Sequence, residues 1–189
     1  MCVIICMVGD MMTNDKTLKS KPQSIITERL VMKSISGEDW KDIKDIFSSK
    51  EVSLTYMLPV FNDEEDMVKL FVRFIALSKD DGRFVYGIYL DDKLIGFVND
   101  VEMTKSEIEL GYVINPHFKG NGYATEVLIA SISTLFDMGF KVVKTGAFIE
   151  NKASLRVMEK AGMTKIDYED EVPYNGQLHK CAYYQMKVD

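Results

Sequence analysis

The 189-residue sequence predicts a single domain of the mixed α/β class, and three observations support this prediction. The hydrophobic content of 47% and the charged content of 28% are those of an ordinary folded chain, not of disordered or low-complexity sequence. From Thr27 onward, the hydrophobic pattern switches between the two-residue period of strands and the 3.6-residue period of helices. The resulting order of elements is β-α-α-β-β-β-α-β-α-β-β, and no internal repeat or linker divides it.

The N-terminal half of the domain begins with one predicted strand and two predicted helices. Residues 27–35 alternate as a strand. Ser36 and Asp39 have the spacing of a capping box and precede apolar residues at helical spacing, which predicts the first helix. The acidic run at residues 62–65 predicts the start of the second helix, and residues 51–61 between them are predicted to be a loop or a broken helical turn.

The C-terminal half alternates predicted strands and helices. The predicted strands are 84–90, 93–101, 107–115, 142–148, 163–172 and 178–188, and the predicted helices are 122–138 and 153–161. Tight turns at Asp91-Asp92 and Asn175-Gly176 predict hairpins, so the first three of these strands should form an antiparallel meander. Gly139 and Gly162 stand where a helix commonly ends in a left-handed residue.

Residues 1–23 are predicted to be a flexible extension, which leaves residues 24–189 as the domain. The apolar residues 1–9 lack the basic region and the small-residue cleavage site of a signal peptide. This apolar run is also far shorter than the ~20 residues that cross a bilayer, so no membrane partner is expected.

Charge and cysteine usage argue against two further classes of partner. Lys and Arg number 23 against 29 for Asp and Glu, and the net charge of −6 provides no general field for a nucleic-acid backbone. Cys2, Cys6 and Cys181 form no disulfide framework, and no second pair of Cys or His lies at ligand spacing. We therefore expect a cytoplasmic protein with no metal and no nucleic-acid partner.

A glycine-bearing loop between the third strand of the meander and the next helix is a candidate binding site. A strand that runs through such a loop into a helix directs free N–H groups and the positive helix end toward one point. Gly120 and Gly122 allow an anionic group to approach the backbone, and Lys119 adds a positive charge. The pattern predicts an anion cradle, although a helix entry without a ligand would use the same residues.

Two phosphate-binding motifs do not fit this loop. The Walker A motif needs Gly-Lys-Ser/Thr, whereas the sequence has Gly122-Tyr123-Ala124, so a nucleoside triphosphatase is excluded. The dinucleotide fingerprint needs a third glycine where Thr125 stands, and it opens a βαβ unit instead of following a meander. A different nucleotide binder that uses the same helix terminus remains a rival interpretation.

Two separated motifs resemble those of the GNAT acyltransferase superfamily. Residues 111–126 read GYVINPHFKGNGYATE, and residues 150–163 read ENKASLRVMEKAGM. The chain is most similar to the branch related to ribosomal-protein N-terminal acetyltransferases, which the TERLVM sequence at 27–32 and the NGQLH sequence at 175–179 also resemble. The resemblance covers about residues 25–187 and implies the GNAT fold, a mixed, mostly antiparallel sheet flanked by helices.

The resemblance implies acetyl-CoA as the cosubstrate. Its pyrophosphate is expected on the amides of residues 118–124, and its pantetheine arm is expected to pair with the main chain near Val113 and Ile114. Asn151 matches an asparagine that faces the pantetheine, although a helix N-cap is an alternative role for it. The implied cofactor-binding residues are Val113, Ile114, Phe118, Lys119, Gly120, Asn121, Gly122, Tyr123, Ala124, Asn151 and Ser154.

The implied reaction is N-acetylation of a primary amine by direct attack in a ternary complex. An amine must lose a proton to attack a thioester, so Glu109 is the predicted general base, with Glu107 in reserve. The alternative is that both are solvated carboxylates on an exposed face of the sheet. A backbone N–H near Val113 is expected to stabilise the oxyanion.

The sequence departs from the family pattern at three positions. His117 replaces the first residue of the loop signature, which need not disturb binding by backbone amides. Met158 stands where many members carry a tyrosine that protonates the thiolate, so Ser154 or a water is expected to serve, unless the thiolate leaves unprotonated. Lys180 stands where this branch often has aspartate.

The acceptor is expected to be a protein N-terminus or a small amine, and the sequence leaves open whether the chain forms a homodimer. The rival from another functional class is a catalytically weak acyl-CoA-binding sensor or scaffold. Met158 and the uncertain base motivate that rival, which would bind CoA tightly and acetylate no amine.

Overall fold

The computed structural model describes residues 18–188, which form one eight-stranded sheet with helices on both faces. The strands are β1 (Ser24–Ile26), β2 (Val31–Lys33), β3 (Tyr86–Leu90), β4 (Lys93–Met103), β5 (Glu107–Ile114), β6 (Val142–Phe148), β7 (Thr164–Tyr174) and β8 (Gln177–Lys187). The helices are α1 (Trp40–Phe47), α2 (Lys50–Thr55), α3 (Glu64–Lys79), α4 (Tyr123–Met138) and α5 (Lys152–Lys160). The strand order is β1-β2-β3-β4-β5-β6-β8-β7, and only β5 and β6 pair in parallel. The expected mixed, mostly antiparallel sheet is therefore confirmed.

The predicted strand at 27–35 is correct only at Val31–Lys33, because this part of the chain belongs to a short hairpin whose turn precedes Val31. β1 and β2 have three residues each and pair with Ile25 opposite Met32. In the turn, the Thr27 N–H donates to the Leu30 carbonyl at 2.9 Å, and the Leu30 N–H donates to the Thr27 hydroxyl at 3.0 Å. A threonine hydroxyl that bonds to nearby backbone favours a turn over continued pairing.

Side-chain caps set the starts of the helices that follow the hairpin. The predicted capping box is present, with the Ser36 N–H donating to Asp39 at 2.7 Å, and it begins a short 3₁₀ turn that leads into α1. The Ser49 side chain accepts from the Val52 N–H and begins α2, so the first part of the region between the two predicted helices is helical. Asp63 caps α3 by accepting from the Asp66 N–H.

Residues 18–23, which the sequence assigned to the extension, contact the sheet and its helices. Lys21 is buried and donates to the Ser78 carbonyl at 2.8 Å. The Tyr86 hydroxyl donates to the Pro22 carbonyl at 2.6 Å. We therefore propose that the domain includes residues 18–23; the rest of the predicted extension lies outside the described residues.

The alternation of side chains along the strands divides the core into two layers. On one face of the sheet, Phe74 of α3 packs edge-to-face on Phe97 of β4, with ring centroids 4.9 Å apart. On the other face, Leu110 of β5 packs with Leu128 of α4 and Met158 of α5. We call these the α1–α3 face and the α4–α5 face. In the part of the chain that the structure describes, no helix has the length and apolarity to cross a membrane.

The two parallel strands separate in their second halves. β5 and β6 pair from Glu107 opposite Val142 to Leu110 opposite Thr145, and no further pair of these strands follows within residues 18–188. In β4, an extra residue at Val101 shifts the register with β5, and such a bulge bends and twists a strand locally. The separation leaves a gap in the sheet beyond Leu110.

Candidate active site

The gap between β5 and β6 forms a cleft of about 410 Å³ that reaches both faces of the sheet. Tyr112 and Ser154 line it on the α4–α5 face, and Tyr56 and Phe148 line it on the α1–α3 face. Because the cleft passes through the sheet, two reactants can enter from opposite faces and meet between the strands.

The predicted anion cradle lies at one end of this cleft. Gly120 and Gly122 both have φ of +81°, and a Cβ at Gly120 would meet nothing within 4 Å, so the backbone conformation itself favours glycine there. The loop enters α4 at Tyr123, whose ring stacks against the Arg29 guanidinium at 4.7 Å. The cradle residues that line the cleft are Phe118, Lys119, Gly120, Gly122, Tyr123 and Ala124.

Asn121, which the resemblance included among the cofactor ligands, does not line the cleft. Its side-chain amide donates to the Phe118 and Lys119 carbonyls at 3.1 and 3.2 Å, and its own carbonyl accepts from Arg29 at 2.8 Å. These contacts hold the loop in shape, so Asn121 has a structural role in the cradle.

Two basic residues of α5 also line the cleft, and the sequence analysis missed them. Arg156 and Lys160 are exposed, lie four residues apart on one side of the helix, and form no ion pair within residues 18–188. Lys119 adds a third cation but pairs with Glu51. The spacing of Arg156 and Lys160 in the second motif is the signal that would have found them. The glycine cradle, the strand edge and these cations together fit a long ligand that carries phosphates at one end.

The register of β5 decides which of its backbone groups face the gap. The Asn115 N–H donates to the Ile95 carbonyl of the β4 side at 2.8 Å. Since successive amides of a strand point to opposite edges, the Val113 N–H also points toward β4. The backbone groups of Tyr112 and Ile114 therefore face the gap. This register supports the prediction that the pantetheine arm pairs with the main chain at Ile114. It does not support the oxyanion role expected of the Val113 amide, which points away from the gap. Val113 does line the cleft.

A pair of hydroxyl groups lies on the α4–α5 side of the cleft. The Tyr112 hydroxyl and the Ser154 Oγ are 2.8 Å apart, and burial raises the pKa of Tyr112 well above its usual value. The Asn151 side chain accepts from the Ser154 N–H at 3.1 Å, so Asn151 is both the N-cap of α5 and a lining residue. Met158 is fully buried and does not line the cleft. Tyr112 was not among the predicted site residues because its place in the alternating pattern of β5 is that of an ordinary core position.

Glu109 is buried just before the gap, on the α1–α3 face. It is 8% exposed, and its Oε1 has no hydrogen-bond partner among the described residues. The pKa of Glu109 is raised to about 7, mainly by burial and further by the nearby Glu102, while Lys144 opposes the shift. Glu107 forms an ion pair with Lys144. Glu109 is therefore not the solvated carboxylate of the alternative interpretation.

Glu109 faces a second cavity and does not line the cleft itself. Gly111, two residues further along the same face of β5, does line the cleft. Two residues of a strand span about 7 Å, so a proton would pass between the cleft and Glu109 through at least one water. Within residues 18–188, no group of three or more His, Cys, Asp or Glu side chains is placed to hold a metal ion.

Comparison with known proteins identifies the class of this site. The profile of the acetyltransferase (GNAT) domain matches residues 29–164 of the chain. The chain belongs to the GNAT acetyltransferase family. The expected family, fold and enzyme class are thereby confirmed.

GNAT relatives align along most of their length. YoaA of Bacillus subtilis, an uncharacterized N-acetyltransferase, is 28% identical over 167 residues, which cover 82% of this chain and 94% of YoaA. A GNAT acetyltransferase from Bacillus anthracis superposes with a TM-score of 0.75 at 26% identity, covering 87% of this chain and 98% of the other. RimL, a ribosomal-protein N-acetyltransferase solved in complex with coenzyme A, superposes with a TM-score of 0.76 at 17% identity. The superposition covers 90% of this chain and 99% of RimL. The RimL likeness supports the fold.

Proposed function

We propose that this GNAT enzyme transfers an acetyl group from acetyl-CoA to a primary amine by direct attack in a ternary complex. The observation that carries the proposal is that the cleft reaches both faces of the sheet. The cosubstrate would lie on the α4–α5 face and the amine would approach from the α1–α3 face. When bound, acetyl-CoA supplies the acyl group as an activated thioester. The proposed acceptors are a small amine and a protein N-terminus.

The chain holds the phosphates and the arm of the cosubstrate with different groups. The amides around Gly120 and Gly122 and the N-terminus of α4 favour the pyrophosphate, and Arg156 and Lys160 add positive charge. The backbone edge of Tyr112 and Ile114 offers the hydrogen-bonding groups that an extended amide chain pairs with.

The proton of the attacking amine goes to Glu109 through water. A buried carboxyl group with a pKa of about 7 is well matched to general-base catalysis near neutral pH. As the new N–C bond forms and the C–S bond breaks, the N–H proton moves to Glu109 and the departing sulfur takes a proton from the Ser154 hydroxyl. Tyr112, 2.8 Å from Ser154, orients that hydroxyl and passes it a proton, which Tyr112 regains from water in the cleft as Glu109 releases the proton it took from the amine. The Tyr112 amide N–H, which faces the gap, would hold the oxyanion.

Ligand-dependent thermal stabilisation followed by an amine-panel assay tests the proposal. Acetyl-CoA and CoA are expected to stabilise the fold by about 2.7 kcal/mol at one hundred times Kd, and ATP and NAD are expected to have no effect. Acetylation of a primary amine would then separate the enzyme from the acyl-CoA-binding sensor, which binds CoA without turnover. Stabilisation by ATP or NAD alone would overturn the proposal in favour of a different nucleotide binder.

A further inference from the structure

The second cavity, on the α1–α3 face, has a volume of about 310 Å³ and an acidic wall. Glu102, Glu107 and Glu109 line it together with Lys144, which is ion-paired to Glu107. Glu102 of β4 and Glu109 of β5 are directly opposite each other in the antiparallel register, and neither has an ion-pair partner among the described residues. Like charges at opposite positions of two strands repel, so an added cation would relieve this pair.

The Glu109 carboxylate is the independent sign that this cavity takes a ligand. More than nine-tenths of the residue is buried, and its Oε1 lacks a hydrogen-bond donor in the described part of the chain. A buried acceptor without a donor costs free energy that a ligand N–H group would recover. The missing group is therefore a donor, and its surroundings favour a positive charge.

The remaining walls suit the hydrocarbon part of an organic cation. Tyr168 and Tyr183 line the cavity with their ring centroids 5.6 Å apart, and aromatic faces attract ammonium groups. Ile166 adds apolar surface. The carboxylates of this cavity are not grouped to hold a metal ion within residues 18–188, whereas an alkylammonium group would contact both the carboxylates and the rings.

The cavity adjoins the side of the cleft where the acceptor amine is proposed to enter. The Tyr183 ring lies over Gly146, since a Cβ at Gly146 would fall 2.7 Å from the ring, and Gly146 lines the cleft. On β5, Glu109 is about 7 Å from Gly111, which also lines the cleft. A short alkyl chain would be long enough to span this distance between an amine in the cleft and an ammonium group in the cavity.

We propose that the second cavity is a subsite for an ammonium group of the acceptor, so that the enzyme prefers diamines and polyamines to monoamines. This inference rests on the proposed function, because it names the acceptor class of the same site. The reacting amine occupies the cleft, while the distal ammonium group contacts Glu102, the Glu109 Oε1 and the tyrosine rings, which leaves the other Glu109 oxygen for the water that carries the amine proton.

The test compares kcat/KM for 1,4-diaminobutane with that for butylamine at saturating acetyl-CoA. The wild-type enzyme is expected to prefer the diamine by at least roughly fivefold, which corresponds to one modest ion pair. Glu102→Gln is expected to bring this ratio close to one. Glu65→Gln, which changes an exposed carboxylate of α3, is the matched control and should leave the ratio unchanged. Equal kcat/KM values for the two amines in the wild type would overturn the inference and leave the proposed function intact.

A direct binding measurement separates failure of the inference from failure of the proposed function. Calorimetric titration of the wild-type protein with 1,4-diaminobutane, without acetyl-CoA, is expected to show binding that Glu102→Gln weakens at least roughly fivefold. If no amine is acetylated but this result is obtained, the proposed transfer fails and the ammonium subsite stands. If the diamine does not bind at millimolar concentration, the subsite is rejected whatever the acetylation assay shows.

Discussion

At the scale of single residues, the chemistry of the site depends on side chains whose surroundings alter their ordinary behaviour. Glu109 is buried beside Glu102, with Lys144 and Glu107 on the same side of the sheet. Burial therefore keeps its proton bound to higher pH than in the unfolded chain, and this has a measurable effect on stability.

We expect Glu109→Gln to change the pH dependence of stability. The folded-state pKa is raised from 4.5 to about 7, so between these values the folded protein binds more protons than the unfolded chain. The free energy of unfolding should thus fall as pH rises through this window, by about 3 kcal/mol. Urea unfolding at pH 5 and pH 8 should show that Glu109→Gln removes most of this fall, and an identical fall in the variant would refute the role of Glu109 in it.

Tyr112→Phe and Ser154→Ala are expected to act on the same proton-transfer step. Each removes one partner of the 2.8 Å hydroxyl pair and should lower kcat about tenfold, while the affinity for CoA stays unchanged. Because the two hydroxyls act together, the double variant should lose little more than either single one. Single-turnover rates measure this coupling, and fully additive losses would mean that the two groups act separately.

At the scale of elements, close approach of neighbouring strands shapes the gap. A Cβ at Gly96 of β4 would overlap the Val113 carbonyl oxygen of β5, which is backbone and cannot move aside as a side-chain end can. Gly96 therefore lets β4 and β5 pair closely at Ile114, in the part of β5 that no longer pairs with β6.

We expect Gly96→Ala to destabilise the fold by about 1–3 kcal/mol, as overpacking in a core does. Gly37→Ala is the control, since a Cβ there meets nothing within 4 Å and its φ is not in the left-handed region. Urea unfolding of both variants provides the comparison. Equal stability of the two would show that the strands tolerate the added methyl group.

The exposed face of α5 carries the charge that we assign to phosphate binding. Arg156→Gln and Lys160→Gln are each expected to raise KM for acetyl-CoA several-fold at low salt, with little change in kcat, because each removes one charge from the cleft. Lys165→Gln on β7 lies outside the cleft and serves as the control. Steady-state kinetics at two salt concentrations measure the effect, and an unchanged KM in both α5 variants would contradict the assignment.

At the scale of the whole molecule, the N-terminal hairpin fixes the cradle from far away in the sequence. Glu126, in the first turn of α4, accepts from the Thr27 hydroxyl at 2.6 Å and from the Arg29 N–H at 2.9 Å. Arg29 also forms an ion pair with Glu126 at 2.6 Å and donates to the Asn121 carbonyl. These contacts join the TERLVM segment at residues 27–32 to the loop motif at residues 111–126.

Glu126→Ala is expected to lower the free energy of unfolding by about 1–3 kcal/mol, because it leaves several donors without their acceptor. It should also weaken CoA binding, since Arg29 would no longer be held against the cradle loop. Glu65→Ala removes only an exposed ion pair with Lys69 and should cost less than about 0.5 kcal/mol. Denaturation with and without CoA separates the two effects, and an unchanged CoA affinity would limit Glu126 to a stabilising role.

The features that depend on local interactions could be predicted from the amino-acid sequence. Periodicity predicted most elements, the capping box at Ser36 was present as expected, and the glycine loop before α4 has the left-handed residues that an anion cradle needs. Periodicity did not predict the turn within residues 27–35, because a side-chain hydrogen bond forms that turn and leaves no periodic pattern. The local motif was also sufficient to indicate the GNAT family.

The contacts between residues of different elements became known only from the folded structure. The backbone edge that faces the gap depends on the register of β5 with β4, so Tyr112, not Val113, directs its amide there. The burial of Glu109, the Tyr112–Ser154 contact and the acidic second cavity each join strands or helices that are distant in the chain. Residue spacing describes neighbours along one element, whereas these features arise from packing between elements, which no single segment specifies.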